Sequence, residues 1–179
     1  MRRAVEGLAL ALALAGGAVL LALIALVVSS VAGRELAEAS RTLFGARVLG
    51  QVPGDYELLE AGAAFAIFAF LPICQLRGGH ATVDVFTSRL PPAAQRWLAA
   101  FWEVTLAGAI VLITWRLWEG TAGKLPRGAW VETTFILQFP VWWAYAAAFA
   151  AACGASLVAL WCAGARVADA AAGDPATGS

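Results

Sequence analysis

Four long apolar stretches separated by short polar segments set the pattern of the chain, at residues 8–32, 58–76, 97–118 and 135–163. A helix needs about 20 apolar residues to cross a hydrocarbon core about 30 Å thick. Each stretch therefore predicts a transmembrane helix. Arg2 and Arg3 ahead of the first run resemble the basic region of a cleaved leader. The apolar core of such a leader is only about 7–15 residues long, so a retained first span is expected.

The segments between the spans carry a second pattern. Over 34–44, Leu36, Ala39, Leu43 and Phe44 cluster on one side of a helical wheel, opposite Arg34, Glu35, Glu38 and Arg41, which predicts a short interfacial helix. Gly45, Gly50, Pro53 and Gly54 break it and turn the chain back. Asp55, Glu57 and Glu60 then fall in the opening turns of the second span, where the helix dipole favours negative charge. Pro72 predicts a kink near the end of that span, tolerable in a membrane bundle.

A polar island at 75–90, QLRGGHATVDVFTSRL, joins the second span to the third. Gly78 and Gly79 supply the backbone freedom that ends a helix, at about Arg77. Over 82–90, Val83, Phe86 and Leu90 fall on one helical face and Asp84, Ser88 and Arg89 on the other, predicting a second interfacial helix. Pro91 and Pro92 stop it and can open the third span. The segment 119–133, punctuated by Gly120, Gly123, Pro126 and Gly128, reads as a connector. Pro140 either kinks the fourth span or marks its first regular turn. The expected whole is an all-α integral membrane protein: one four-helix membrane domain over 1–165 and a flexible tail over 166–179.

Composition agrees with this class. Of 179 residues, 61% are hydrophobic and 13% charged, well above the roughly 45–50% apolar content of a soluble domain. Net charge is zero, which leaves no basic surplus for nucleic acid. The three cysteines, Cys74, Cys153 and Cys162, lie in apolar stretches and read as small buried residues. With one histidine and no Cys-x-x-Cys, a metal centre has little material. No metal and no cofactor is expected.

Tryptophans 97, 115, 118, 130, 142, 143 and 161 stand near span ends, as interfacial anchors do; core packing against a partner is the competing reading for Trp142 and Trp143. Four spans place both termini on one side. Which side is left open by charge, because Arg2, Arg3, Arg77, Arg89, Arg96 and Arg166 on one side match Arg34, Arg41, Arg47, Arg116, Lys124 and Arg127 on the other.

The stretches PGDYELLE, FLPICQLRGGHATVDVFTSRLPP and FPVWWAY, in that order and spacing, resemble the small membrane subunit (DctQ-type small permease) of TRAP transporters, the tripartite ATP-independent periplasmic family. The resemblance covers most of the chain. It implies four helices with both termini cytoplasmic, in a bacterial inner membrane. It also implies a large membrane subunit that carries the substrate and sodium sites, and a periplasmic substrate-binding protein that delivers solute. The small subunit would act as a scaffold for an elevator-type movement of its partner during sodium-coupled uptake of an organic-acid-type solute. Arg77, Gly78, Gly79, His80, Val83, Asp84 and Phe86 then form a partner-interface or structural hairpin motif. Pro53, Gly54, Asp55, Glu57, Glu60, Pro72, Pro140, Trp142 and Trp143 set helix starts and kinks. Many relatives place a basic residue between the histidine and the Val-Asp pair, where this chain has Ala81 and Thr82.

His80 and Asp84, at i and i+4, suggest a proton relay or a metal pair, but two ligands make neither, and a structural tie is favoured. The third span carries Glu103 in its first half, and a buried carboxylate needs a partner; it is expected to face the large subunit or a neighbouring helix of this chain. Arg116 and Glu119 can pair across one turn for about 0.3–0.5 kcal/mol. The alternative function is a self-contained channel or carrier formed by a homo-oligomer, which needs a polar file that Glu103 alone does not supply. An intramembrane enzyme lacks a nucleophile–base pair or paired acids. Membrane lipid is the remaining expected partner.

Overall fold

The structure, a computed structural model, describes residues 2–44, 50–78, 91–126 and 131–172. Four α-helices account for nearly all of them: α1 (Arg2–Phe44), α2 (Asp55–Leu76), α3 (Pro92–Lys124) and α4 (Val141–Ala172). All four are long and apolar enough to cross a membrane. At 1.5 Å per residue, the 22 residues of α2 span about 33 Å and match a hydrocarbon core. The 43 residues of α1 span about 64 Å, so α1 extends well beyond one.

α4 is the centre of the bundle. It packs against α1, α2 and α3, while α1 lies along α2. Half of the most apolar window of α4 is buried, against 17% or less in each other helix. Its sequence explains the position: Ala148, Ala151, Ala152, Ala155 and Ala159 are almost fully buried, and side chains this small let helix backbones approach where lipid offers no hydrophobic drive for association. One core cluster joins Ala155, Ala159 and Ala163 of α4 to Ala107 and Ile110 of α3. A second joins Val158 and Cys162 to Ala9 of α1, with Ile73 and Leu76 of α2 beside it. The hydroxyls of Thr114 and Ser156 lie 2.8 Å apart across the α3–α4 seam. The outer surface is apolar, with Leu14, Leu21, Val28, Leu112 and Leu157 exposed.

Helix boundaries depart from the sequence expectation in three places. The segment 34–44, expected as its own interfacial helix, is the continuation of α1. Gly33 does not break it, because a lone glycine costs a helix only about 1 kcal/mol. Pro72 lies buried inside the second span, in α2, where the sequence places it. α3 runs to Lys124, so Glu119 and Gly120 are helical rather than part of the connector. α4 begins at Val141 and continues to Ala172, so 135–140 precedes the helix and 166–172, expected as loose tail, belongs to it. The late start follows from Pro140, since a residue before proline is pushed out of the helical region. Pro140 pairs instead with Thr133 in an isolated bridge. The expected interfacial helix over 82–90 lies outside the described residues.

Candidate functional site

Polar side chains gather at the two ends of the bundle. At the loop end, α1 at Ser30, the start of α2 and the segment before α4 meet around Asp55 and Glu57. The PGDYELLE stretch begins with a Pro53-Gly54 turn in which Gly54 has φ +76°, a left-handed conformation that glycine adopts without strain. A Cβ at Gly54 would also run into the side chain of Leu137. The Gly54 carbonyl accepts the first helical bonds of α2, from the Glu57 and Leu58 N–H groups at 3.1 and 3.2 Å.

From that start the two acidic side chains reach in different directions. Asp55 Oδ2 accepts from the Ser30 hydroxyl of α1 at 2.5 Å, and Asp55 Oδ1 accepts from the Tyr56 N–H at 2.9 Å. Gln51 Nε2 approaches the same carboxylate at 3.4 Å. Glu57 accepts from the backbone N–H groups of Ile136 and Leu137 at 2.7 and 2.9 Å. It clamps the turn that precedes α4. That turn is narrow: Thr134 N–H donates to the Phe139 carbonyl at 3.0 Å and Val141 N–H to the Glu132 carbonyl at 2.9 Å, and Gln138 takes φ +54° to close it. Lys124 Nζ lies 2.6 Å from Glu132 Oε1 and ties the end of α3 to the same turn. The helix dipole still favours acids at these positions, but Asp55 and Glu57 also join three segments of the chain. Glu60 stands exposed beyond them.

Close to the clamp, Trp142 and Trp143 meet edge to face with ring centroids 6.2 Å apart. Trp143 is exposed at the surface of α4 and Trp142 half-buried. A second point of close approach pins the returning chain to α1: a Cβ on Gly33 would collide with the carbonyl oxygen of Gly50.

At the opposite end, where α1 begins and α4 finishes, Glu103 accepts a hydrogen bond from Gln75 Nε2 at 2.8 Å. The partner expected for this carboxylate is thus a neighbouring helix of the same chain. Gln75 itself is only 4% exposed, and a buried amide is normally hydrogen-bonded. α2 closes with Arg77 N–H bonded to the Ile73 carbonyl at 3.1 Å and Gly78 at φ +58°, the left-handed ending that the double glycine predicts. Gly79, His80, Val83, Asp84 and Phe86 lie outside the described residues. Among the described residues no group of three or more His, Cys, Asp or Glu side chains is placed to hold a metal ion.

The sequence did not point to Ser30, Gln51 or Gln75 as partners of Asp55 and Glu103. Ser30 and Gln75 each sit at the edge of an apolar run, which is a usable signal. Nothing local marks the Ile136 and Leu137 N–H groups, because they lie 79 and 80 residues from Glu57.

Three membrane-length helices packed around an alanine-rich fourth, with polar ties at both ends, define a multi-pass α-helical membrane protein. Its sequence matches the family model described as the DctQ component of tripartite ATP-independent periplasmic transporters over residues 23–172. The chain belongs to that family and is a small permease subunit of a TRAP-type transporter. No curated protein and no solved structure matches it.

Proposed function

We propose that the chain is the stationary scaffold of a heteromeric permease, binding the large membrane subunit in a bacterial inner membrane while that partner moves solute. Sodium coupling, delivery by a periplasmic binding protein and an organic-acid-type solute complete the proposal, and the chain itself performs no chemistry. The observation that carries it is the family match over 23–172. The construction of the bundle supports it. A transport domain that moves through the bilayer needs a wall that stays put, and a bundle with a buried alanine-rich axis and both ends cross-tied resists deformation. The hairpin residues Arg77, Gly78, Gly79, His80, Val83, Asp84 and Phe86 are proposed as the part that engages the partner.

Co-expression with the neighbouring reading frames, followed by affinity purification in detergent, tests this. A large polytopic protein is expected at fixed stoichiometry, and scrambling 77–86 should release it while the small chain stays folded. Recovery of a discrete homo-oligomer that conducts ions or solute alone in liposomes would overturn the proposal in favour of a channel. The channel has less support because Glu103 is engaged by Gln75 rather than standing in a polar file.

A further inference from the structure

α1 does not stop where the membrane does. Its Ser30 hydroxyl donates to Asp55, the first residue of α2, so Ser30 marks the level at which α2 enters the hydrocarbon core that its 22 residues match. From there α1 continues unbroken to Phe44. Leu36 and Leu43 lie about 9 Å and about 20 Å of helix rise beyond Ser30. The headgroup layer is only about 5–8 Å thick, and a helix tilt of about 20° shortens that reach by only about 1 Å. Leu36 therefore stands at the outer edge of the bilayer and Leu43 well clear of it.

One side of this arm is apolar and uncovered. Leu36 is 53% and Leu43 75% exposed, and Ala39, also exposed, lies between them at the i, i+3, i+7 spacing that puts all three on one face. Arg34, Glu35, Glu38 and Arg41 stand on the other side, two cations against two anions, so the arm has no net charge to draw it down onto an anionic lipid surface. Lipid tails do not reach this far, and an apolar helix face held in water marks a protein contact, of the kind in which anchors at i, i+3 and i+7 enter a groove. Size selects among protein partners. Three such side chains offer on the order of 300 Å2, well below the roughly 800 Å2 per partner of a stable complex, which suits a contact made and broken repeatedly rather than a permanent subunit or a second copy of this chain. We propose that the tip of α1 is a docking arm for the soluble solute-binding protein, which has to engage and leave at each delivery, with Leu36, Ala39 and Leu43 entering an apolar groove on it. The inference rests on the scaffold reading above and on the cytoplasmic termini that accompany it, which place the arm on the side where the binding protein works.

Uptake by the complete transporter in proteoliposomes, with the purified binding protein added over a range of concentrations, reads this contact. Leu36→Ser and Leu43→Ser are each expected to raise the half-saturating concentration of binding protein about tenfold, and Arg41→Ala, on the far side of the arm, should leave it at the wild-type value. With p-benzoylphenylalanine in place of Leu43, irradiation should join the arm to the binding protein. Wild-type half-saturation in both leucine variants would overturn the proposal, as would a crosslink at position 43 only to the large subunit, to a second copy of this chain or to lipid. Helix content by circular dichroism shows whether each variant is folded; should a leucine variant not fold, the crosslink at position 43 decides. Failure of the wild-type chain to recover a large subunit refutes the scaffold reading and takes this inference with it, whereas a transporter that assembles and takes up solute while ignoring both leucines refutes the arm alone.

Discussion

The two ends of the bundle handle polar groups in opposite ways. At the loop end, carboxylates reach across the chain to fixed donors: Asp55 to Ser30, and Glu57 to the N–H groups of Ile136 and Leu137. At the terminal end, one part-buried pair, Gln75 with Glu103, joins α2 to α3, and a separate cavity between α3 and α4 is lined in part by Arg96, Arg166 and Asp169. The first arrangement spends its charges on holding segments together. The second ties two helices, α2 and α3, by one side-chain hydrogen bond. The loop end is therefore read as architecture that joins three segments.

This contrast can be broken experimentally. Replacing Glu57 with Ala removes the acceptor of two backbone N–H groups at once and releases the turn before α4 from α2. The largest loss of the series is expected from it, a fall of several degrees in melting temperature in detergent. A melting temperature unchanged by Glu57→Ala would remove the clamp from the account. Gly54→Ala adds a Cβ against Leu137 to a residue at positive φ; overpacking and strain of this kind cost about 2 kcal/mol, measurable by denaturation in mixed micelles. Glu103→Ala removes one hydrogen bond to the buried Gln75 amide at about 1 kcal/mol, whereas Glu103→Gln keeps an acceptor oxygen and should recover most of the loss. If Gln is as harmful as Ala, the charge of Glu103 matters beyond its bond to Gln75. Arg116→Ala comes last. Its 3.0 Å contact with Glu119 joins side chains 76% and 50% exposed, and a solvated pair contributes about 0.5 kcal/mol or less. A larger effect would mean that the loop end is not the purely structural one.

Much of the fold was legible in the sequence because membrane spans announce themselves by length and composition alone. The four apolar stretches each lie largely within one of the observed helices. Boundaries were harder, for reasons that differ by place. Arg34, Glu35, Glu38 and Arg41 change the character of the surface at the end of α1, but polarity does not end a helix, and no proline interrupts it. At Pro140 the two open readings differed by one turn of chain, and the backbone restriction before proline favoured the later start. The tail was expected to be loose from Arg166 because its residues are small, yet alanine is the best helix former, and 166–172 continues α4.

The candidate site was legible only in part. The acids at 55 and 57 were visible as a helix start, and their role as ties was not, because a carboxylate gives no local sign of which distant N–H it will meet. Glu103 was recognisable as a carboxylate in need of company, and one helical neighbour met that need. The cavity between α3 and α4 was invisible in advance for a simpler reason: Arg96 and Arg166 are 70 positions apart and become neighbours only when α3 packs on α4.

The unbroken course of α1 has a mechanical consequence. A rod about 64 Å long with no joint at the membrane edge behaves as a lever. A tilt of about 10° about its first turn would carry its last turn roughly 11 Å sideways. Contacts at Ser30 and Gly33, about two thirds of the way along, therefore act as a guy-line, and whatever binds the far tip of α1 feels the attitude of the whole bundle in the bilayer.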